Sequence, residues 1–195
     1  MYNIRLVKNM KYTIQDGKEL RVAISGKSGC GNTTVSSLLA ESLQVTLINY
    51  TFRNLAKELG ISLAEIIERA KSDTQYDKLV DTKQVDLAKQ QSCVLGSRLA
   101  VWMLQEADLK VYLLADNQIR AQRILNREGG DLEEIKAFTD MRDREDTKRY
   151  KDLYGIDNND YAFCDLIIDT ALHNPEEIVG IILAKLEEKG LVKKS

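Results

Sequence analysis

A parallel β-sheet covered by helices on both faces is the fold class this sequence predicts, and three observations carry it. Short apolar runs alternate with amphipathic helical stretches, the pattern of successive βαβ units. The first run, Arg21-Val22-Ala23-Ile24-Ser25, enters a glycine-rich turn that opens a helix. In that turn Gly26, four intervening residues and Gly31 fit the G-x-x-x-x-G half of a phosphate-binding P-loop, and Thr33 stands where its Ser/Thr belongs.

The loop defines the first candidate site. Glycines let successive backbone N–H groups turn inward around an anion, and the helix N-terminus adds partial positive charge. Gly26, Lys27, Ser28, Gly29, Cys30, Gly31, Asn32, Thr33 and Thr34 are therefore candidate phosphate-binding residues, with the Thr33 hydroxyl as a candidate Mg²⁺ ligand. The P-loop lysine position is occupied by Asn32. An asparagine can hydrogen-bond a phosphate oxygen but cannot offset its charge, so Lys27, at the second loop position, is the candidate substitute.

Composition sets the bounds. A chain of 195 residues, 44% apolar and 30% charged, reads as one globular domain. A net charge of −2 supplies no long-range field for nucleic acid, so an anionic ligand must be met by local arginines. Cys30, Cys93 and Cys164 lie far apart without metal-ligand spacing, and an odd count without a signal peptide points to a reducing, cytoplasmic setting. No run approaches the ~18 apolar residues a membrane span needs.

Taken in order, residues 1–19 are a polar N-terminal extension with a turn candidate at Asp16-Gly17. They read either as a short hairpin or as a leader that adds little to the core. After the P-loop, Val35, Leu38, Leu39 and Leu43 recur at helical spacing and predict a helix packed on the first strand. Val45-Thr46-Leu47-Ile48 predicts a short buried strand, and Arg53 follows its carboxyl end, the edge of a parallel sheet where ligands bind. Ser62-Leu63-Ala64-Glu65 is a capping box for a helix over Leu63, Ile66 and Ile67. A charged helix over about residues 74–90 takes Leu79, Val80, Val85 and Leu87 as its inner face. Neither helix shows an evident catalytic group, and together they read as a flap over a substrate or as cover for the sheet.

Residues 92–96 predict the third strand, with Ser97-Arg98 at its end. Arg53 and Arg98 thus converge from two strand ends, a phosphate-recognition pattern, because a guanidinium fork matches phosphate oxygens. Trp102 and Met103 read as core. Residues 109–114 predict the fourth strand, and Asp116 caps a helix that sets Arg120, Arg123 and Arg127 on one face. Gly129-Gly130 breaks the chain like a hinge, and Asp131 with Glu134 starts a helix bearing Arg142, Asp146 and Arg149 on one face, read as a moving lid. Residues 165–169 predict the fifth strand, leading into Thr170-Ala171. Asn174 as N-cap, Pro175 at N1 and Glu177 at N3 start the closing helix, with Ile178, Ile181, Ile182 and Leu186 inward. His173 reads as structural or solvent-exposed. No Ser/His/Asp set and no metal cluster is visible. The chemistry on offer is phosphate handling.

Five stretches carry a resemblance: Ile-Ser-Gly-Lys-Ser-Gly-Cys-Gly at 24–31, Phe-Arg-Asn-Leu-Ala-Lys-Glu at 52–58, Gly-Ser-Arg-Leu-Ala-Val-Trp at 96–102, Arg-Ile-Leu-Asn-Arg-Glu-Gly at 123–129, and Lys-Arg-Tyr-Lys-Asp-Leu-Tyr-Gly-Ile-Asp at 148–157. In that order they resemble the short, archaeal-type cytidylate kinases of the nucleoside monophosphate kinase superfamily. Arg142-Asp143-x-x-Asp146-x-x-Arg149 also resembles the lid motif of bacterial cytidylate kinases.

The resemblance implies transfer from MgATP to CMP or dCMP on a three-layer α/β/α P-loop fold with strand order 2-3-1-4-5. Residues 20–195 would be one kinase domain, with a monophosphate-binding region at about 49–91 and a lid at about 129–158. It further implies that Arg53 and Arg98 hold the CMP phosphate, Asp146 accepts from the cytosine amino group, and Arg142 and Arg149 close over the phosphoryl group. Arg123 and Arg127 correspond to arginines touching adenine and ATP phosphates, and Thr170 and Ala171 border adenine. The partners implied are small molecules, with no membrane or nucleic acid, and a monomer or weak homodimer is expected. The chain departs from the pattern at Asn32, and at Leu99 where long bacterial relatives carry aspartate. Asn32 leaves two further readings: a kinase for another small acceptor, or a catalytically silent nucleotide-binding module.

Overall fold

The computed structural model describes residues 12–194; the expectation for residues 1–11 of the extension lies outside them. The strands are β1 (Tyr12–Ile14), β2 (Arg21–Gly26), β3 (Thr46–Ile48), β4 (Cys93–Gly96), β5 (Leu109–Leu114), β6 (Leu166–Asp169) and β7 (Val192–Lys194). β2 to β6 form one parallel sheet in the order β3-β4-β2-β5-β6. Counting these five as core strands gives the expected 2-3-1-4-5. Every carboxyl end then lies along one edge, which is where the loops after β2, β3, β4 and β6 gather.

Successive side chains of a strand point to opposite faces, so a central parallel strand must be apolar on both. Val22 and Ile24 join Val111, Leu113 and Ile168 on one face. That face is covered by Val35, Leu39 and Leu43 of α1 (Asn32–Leu43) and by Ile178, Ile182 and Leu186 of α8 (Pro175–Glu188). Ala23, Cys93, Leu95 and Tyr112 point the other way. They pack under Val85 and Ala88 of α4 (Gln75–Ala88) and Ala100 and Val101 of α5 (Ala100–Met103). Full burial of each such Leu or Ile contributes roughly 1.5–3 kcal/mol. The three layers follow from the alternation alone.

Between β3 and β4 the chain forms α2 (Phe52–Leu59), α3 (Leu63–Ala70) and α4. They share a small core of Tyr50, Leu55, Ala56, Ile66 and Val80, separate from the two sheet cores. Two expected inner residues are instead exposed, Ile67 at 45% and Leu79 at 50%, because each helix packs by a narrow stripe. β3 is less buried than expected: it is an edge strand, with Thr46 and Leu47 exposed.

The extension is neither a local hairpin nor an idle leader where it is described. β1 pairs antiparallel with β7, Ile14 opposite Val192, and Tyr12 and Val192 enter the main core. The expected turn at Asp16-Gly17 is present, with Gly17 at φ 75°.

α6 (Asn117–Glu128) and α7 (Leu132–Tyr154) are separated by Gly129 and Gly130 at φ 75° and 111°, a region that side-chain-bearing residues avoid. Asp116 and Asp131 accept hydrogen bonds from the first amides of these helices, and Ser62 and Asn174 do so for α3 and α8. Among the described residues no helix is long and apolar enough to cross a membrane.

Candidate active site

The loop between β2 and α1 is shaped by close approach. A Cβ on Gly26 would lie 2.8 Å from the Leu113 carbonyl oxygen, and one on Gly29 would lie 2.9 Å from Arg120. Gly31 caps α1 at φ 89° and brings no side chain to its amides, and the first turn carries no acid. α3, α6, α7 and α8 fill that role with a side chain; α1 leaves it open. Such a helix N-terminus, with its dipole, is suited to an anion. Cys30 contributes backbone only, since its side chain lies in the core and burial pushes its thiol pKa up.

Asn32 departs from the sequence expectation. Its Nδ2 donates to the carbonyls of Ile24 (3.1 Å) and Ser97 (3.3 Å), and its Oδ1 accepts from the Ser36 hydroxyl at 2.9 Å. The side chain thus ties α1 to the ends of β2 and β4 and is not free for a phosphate. Gly96 is required beside it, because a Cβ there would lie 2.5 Å from Ser36 Oγ.

Lys27 lines the main cavity with its Nζ 3.7 Å from Asp143 Oδ2. Asp143 is itself gripped by Arg120, through Nη2 at 2.6 Å and Nη1 at 3.3 Å. Arg120 Nη1 also donates to the Ser28 carbonyl at 3.1 Å, and its side chain is only 4% exposed. The three arginines of α6, one face in the sequence, therefore have three environments. Arg120 is a buried clamp behind the loop. Arg123 donates to the Gly29 carbonyl and to both oxygens of Thr170, joining the loop to the β6–α8 connection. Arg127 is exposed at the rim, paired with Glu128.

One cavity of about 780 Å³ brings together residues 26–34, Arg98, Arg123, Arg127 and Thr170. Its far wall is Tyr50, Phe52, Asp77, Val80, Asp81 and Gln84, with Tyr150 beside them. The other expected residues do not line it. Arg53 is exposed on the first turn of α2, outside the face that buries Leu55 and Ala56. Ala171 is exposed, its N–H donating to Asp169. Arg142 borders a smaller cavity of about 250 Å³ with Ser28 and Arg127, and burial, with the like charge of Arg98, lowers its pKa. Asp146, 7% exposed, accepts from Arg98 at 2.6 Å on one oxygen and from Arg149 at 2.7 Å on the other. Arg149 also stands 3.7 Å from Asp77.

Sequence reasoning missed several cavity residues. His173, read as structural or exposed, lies on the cavity beside Asn174, 3.9 Å from Glu177. Asp77, Asp81 and Gln84 fall at i, i+4 and i+7 and share a face of α4 with Val80. That polar stripe was the available signal. Burial raises the pKa of both Asp77 and Asp81.

A loop-wrapped helix N-terminus at the carboxyl edge of a 2-3-1-4-5 parallel sheet is the arrangement of a P-loop kinase fold. A solved shikimate kinase from Bacteroides thetaiotaomicron shares the fold at TM-score 0.61 and 15% identity, over 87% of this chain and 98% of that one. A deoxyadenosine kinase from M. mycoides does so at 0.52 and 16%, over 86% and 100%. The cytidylate kinase-like family profile matches residues 21–172, and the chain belongs to that family. Cytidylate kinase 2 of Borreliella burgdorferi is 41% identical over 180 residues, 90% of this chain and 100% of the relative. Cytidylate kinase of Pyrococcus horikoshii is 39% identical over 171 residues, 87% and 89% of the two chains. The chain is accordingly an enzyme of the nucleoside monophosphate kinase class, acting on small nucleotides.

Proposed function

We propose that the chain transfers the γ-phosphoryl group of ATP, with Mg²⁺, to CMP or dCMP, giving ADP and CDP or dCDP. The observation that carries this is the single cavity joining the uncapped N-terminus of α1 to Arg98 at the end of the neighbouring strand. A phosphate donor fits the first, a phosphate-bearing acceptor the second. An oxygen of the acceptor phosphate forms the new P–O bond as the bond from the γ-phosphorus to the β–γ bridging oxygen breaks. Positioning and charge neutralisation supply the catalysis.

In this reading the amides of residues 26–34 hold the ATP phosphates, Arg123 fixes the loop against Thr170, and Thr170 and Ala171 border adenine beside Arg127. The exposed Thr33 hydroxyl opens the first turn of α1, and a magnesium ion held mainly by phosphate oxygens needs few protein donors. When bound, that ion neutralises charge on the transferring group. Lys27 supplies the cation that Asn32 does not. Arg98 holds the acceptor phosphate, oriented by the Asp146 carboxylate, with Arg53 joining as the flap of residues 49–91 closes. Arg142 and Arg149 move in with the lid of residues 129–158.

A coupled ADP-release assay with CMP, dCMP, UMP, AMP and no acceptor tests this. Turnover is expected with CMP or dCMP well above the others. The engaged Asn32 side chain favours one alternative, a nucleotide-binding module without turnover, and inactivity with every acceptor would establish it. Within the active enzyme, Arg98→Ala is expected to lower kcat/KM for CMP by about 10²-fold or more. The KM for ATP should stay put. An equal loss of ATP affinity would put Arg98 on the wrong side of the reaction.

A further inference from the structure

On the wall of the cavity opposite the P-loop, Gln84 of α4 is only 3% exposed, and its Oε1 has no hydrogen-bond partner among the described residues. Its Nε2 donates to Asp81 Oδ1 at 3.2 Å, and Asp81 Oδ2 accepts from the Tyr154 hydroxyl at 2.8 Å. A carboxylate only accepts, so Asp81 holds the amide with its nitrogen inward and leaves the oxygen as the unfilled group. Buried acceptors without a donor are uncommon, and a ligand donor is one physical reason for keeping one in a cavity. Tyr50, Phe52 and Val80, which line the same cavity, add two aromatic rings and an aliphatic side chain of the kind a base packs against. Asp146, the acid expected to read the base, has both oxygens engaged by arginines and lies off this cavity.

We propose that Gln84 reads the exocyclic amino group of the acceptor base, with Asp81 and Tyr154 as its positioning residues. The proposal rests on the pyrimidine monophosphate reading above and deepens it. Cytosine offers an N–H donor to Oε1; uracil presents a carbonyl oxygen at the same place, acceptor against acceptor. Discrimination thus comes from an unmet acceptor and from repulsion of the wrong base.

The test is titration calorimetry of CMP and UMP on the wild type, Gln84→Met, Tyr154→Phe and Asp146→Asn, with ADP release measured alongside. The wild type is expected to bind CMP more tightly than UMP. Gln84→Met, close in volume, should shrink that ratio about tenfold or more. Tyr154→Phe should shrink it less, because Asp81 then loses one restraint, and Asp146→Asn should preserve it. A wild type without preference, or an unchanged ratio in Gln84→Met, overturns the proposal. So does collapse of the ratio in Asp146→Asn alone. Should Gln84→Met fail to fold, an unchanged ratio in Tyr154→Phe overturns it equally. CMP turnover with an unchanged ratio removes Gln84 and leaves the kinase reading standing. Selective binding lost in Gln84→Met without any turnover does the opposite.

Discussion

Lys27→Ala lowers kcat by about 10²-fold or more, with a much smaller change in the KM for CMP; this is the result expected if Lys27 replaces the missing P-loop cation. The transferring phosphoryl group spreads negative charge over its oxygens, and a positioned donor in a dry site is worth far more there than in water. Asn32 cannot serve, since both polar ends of its amide are held by Ile24, Ser97 and Ser36. Lys27 can, since it lines the cavity and is steadied by Asp143 at 3.7 Å. Single-turnover kinetics on the alanine variant separate chemistry from binding. A nearly unaffected rate would transfer the role to the lid arginines, Arg149 first.

Arg120→Met costs stability as well, about 1–3 kcal/mol, because it strips the half-buried Asp143 carboxylate of its two-pronged partner and leaves it with Lys27 at 3.7 Å. Arg120, its side chain nearly closed to solvent, makes a two-pronged pair with Asp143 and a third bond to the Ser28 carbonyl. Urea denaturation gives the loss directly. The paired variant Arg120→Met with Asp143→Leu should recover part of it, since the carboxylate is no longer left without its guanidinium, while the Ser28 carbonyl still lacks its donor. Its kcat should still be low, because Lys27 loses its anchor. Full stability in the single variant would show that water reaches Asp143 and that the clamp contributes little.

Local chemistry in the sequence determined much of this protein. The spacing of Gly26 and Gly31, the alternation of apolar runs and helices, and the caps Ser62, Asp116, Asp131 and Asn174 specify a parallel sheet between helices and the candidate phosphate loop, while the strand order is implied by the family resemblance. These are short-range rules: a glycine where a Cβ has no room, an acceptor where a helix begins, an apolar run where both faces of a strand are covered. What the tertiary structure decided depends on partners far apart in the chain. Three arginines on one helical face became a clamp, a tether and a rim residue only because Asp143, Thr170 and solvent lie at different points around α6. Asn32 was read against phosphate, but the carbonyls at the ends of β2 and β4 hold its amide. β1 found its partner in β7 at the other end of the chain. Gln84, unremarkable in a charged helix, stands out once its oxygen is seen buried beside a cavity without a donor among the described residues. Sequence periodicity states which way a side chain points; only the packed structure states what it meets there.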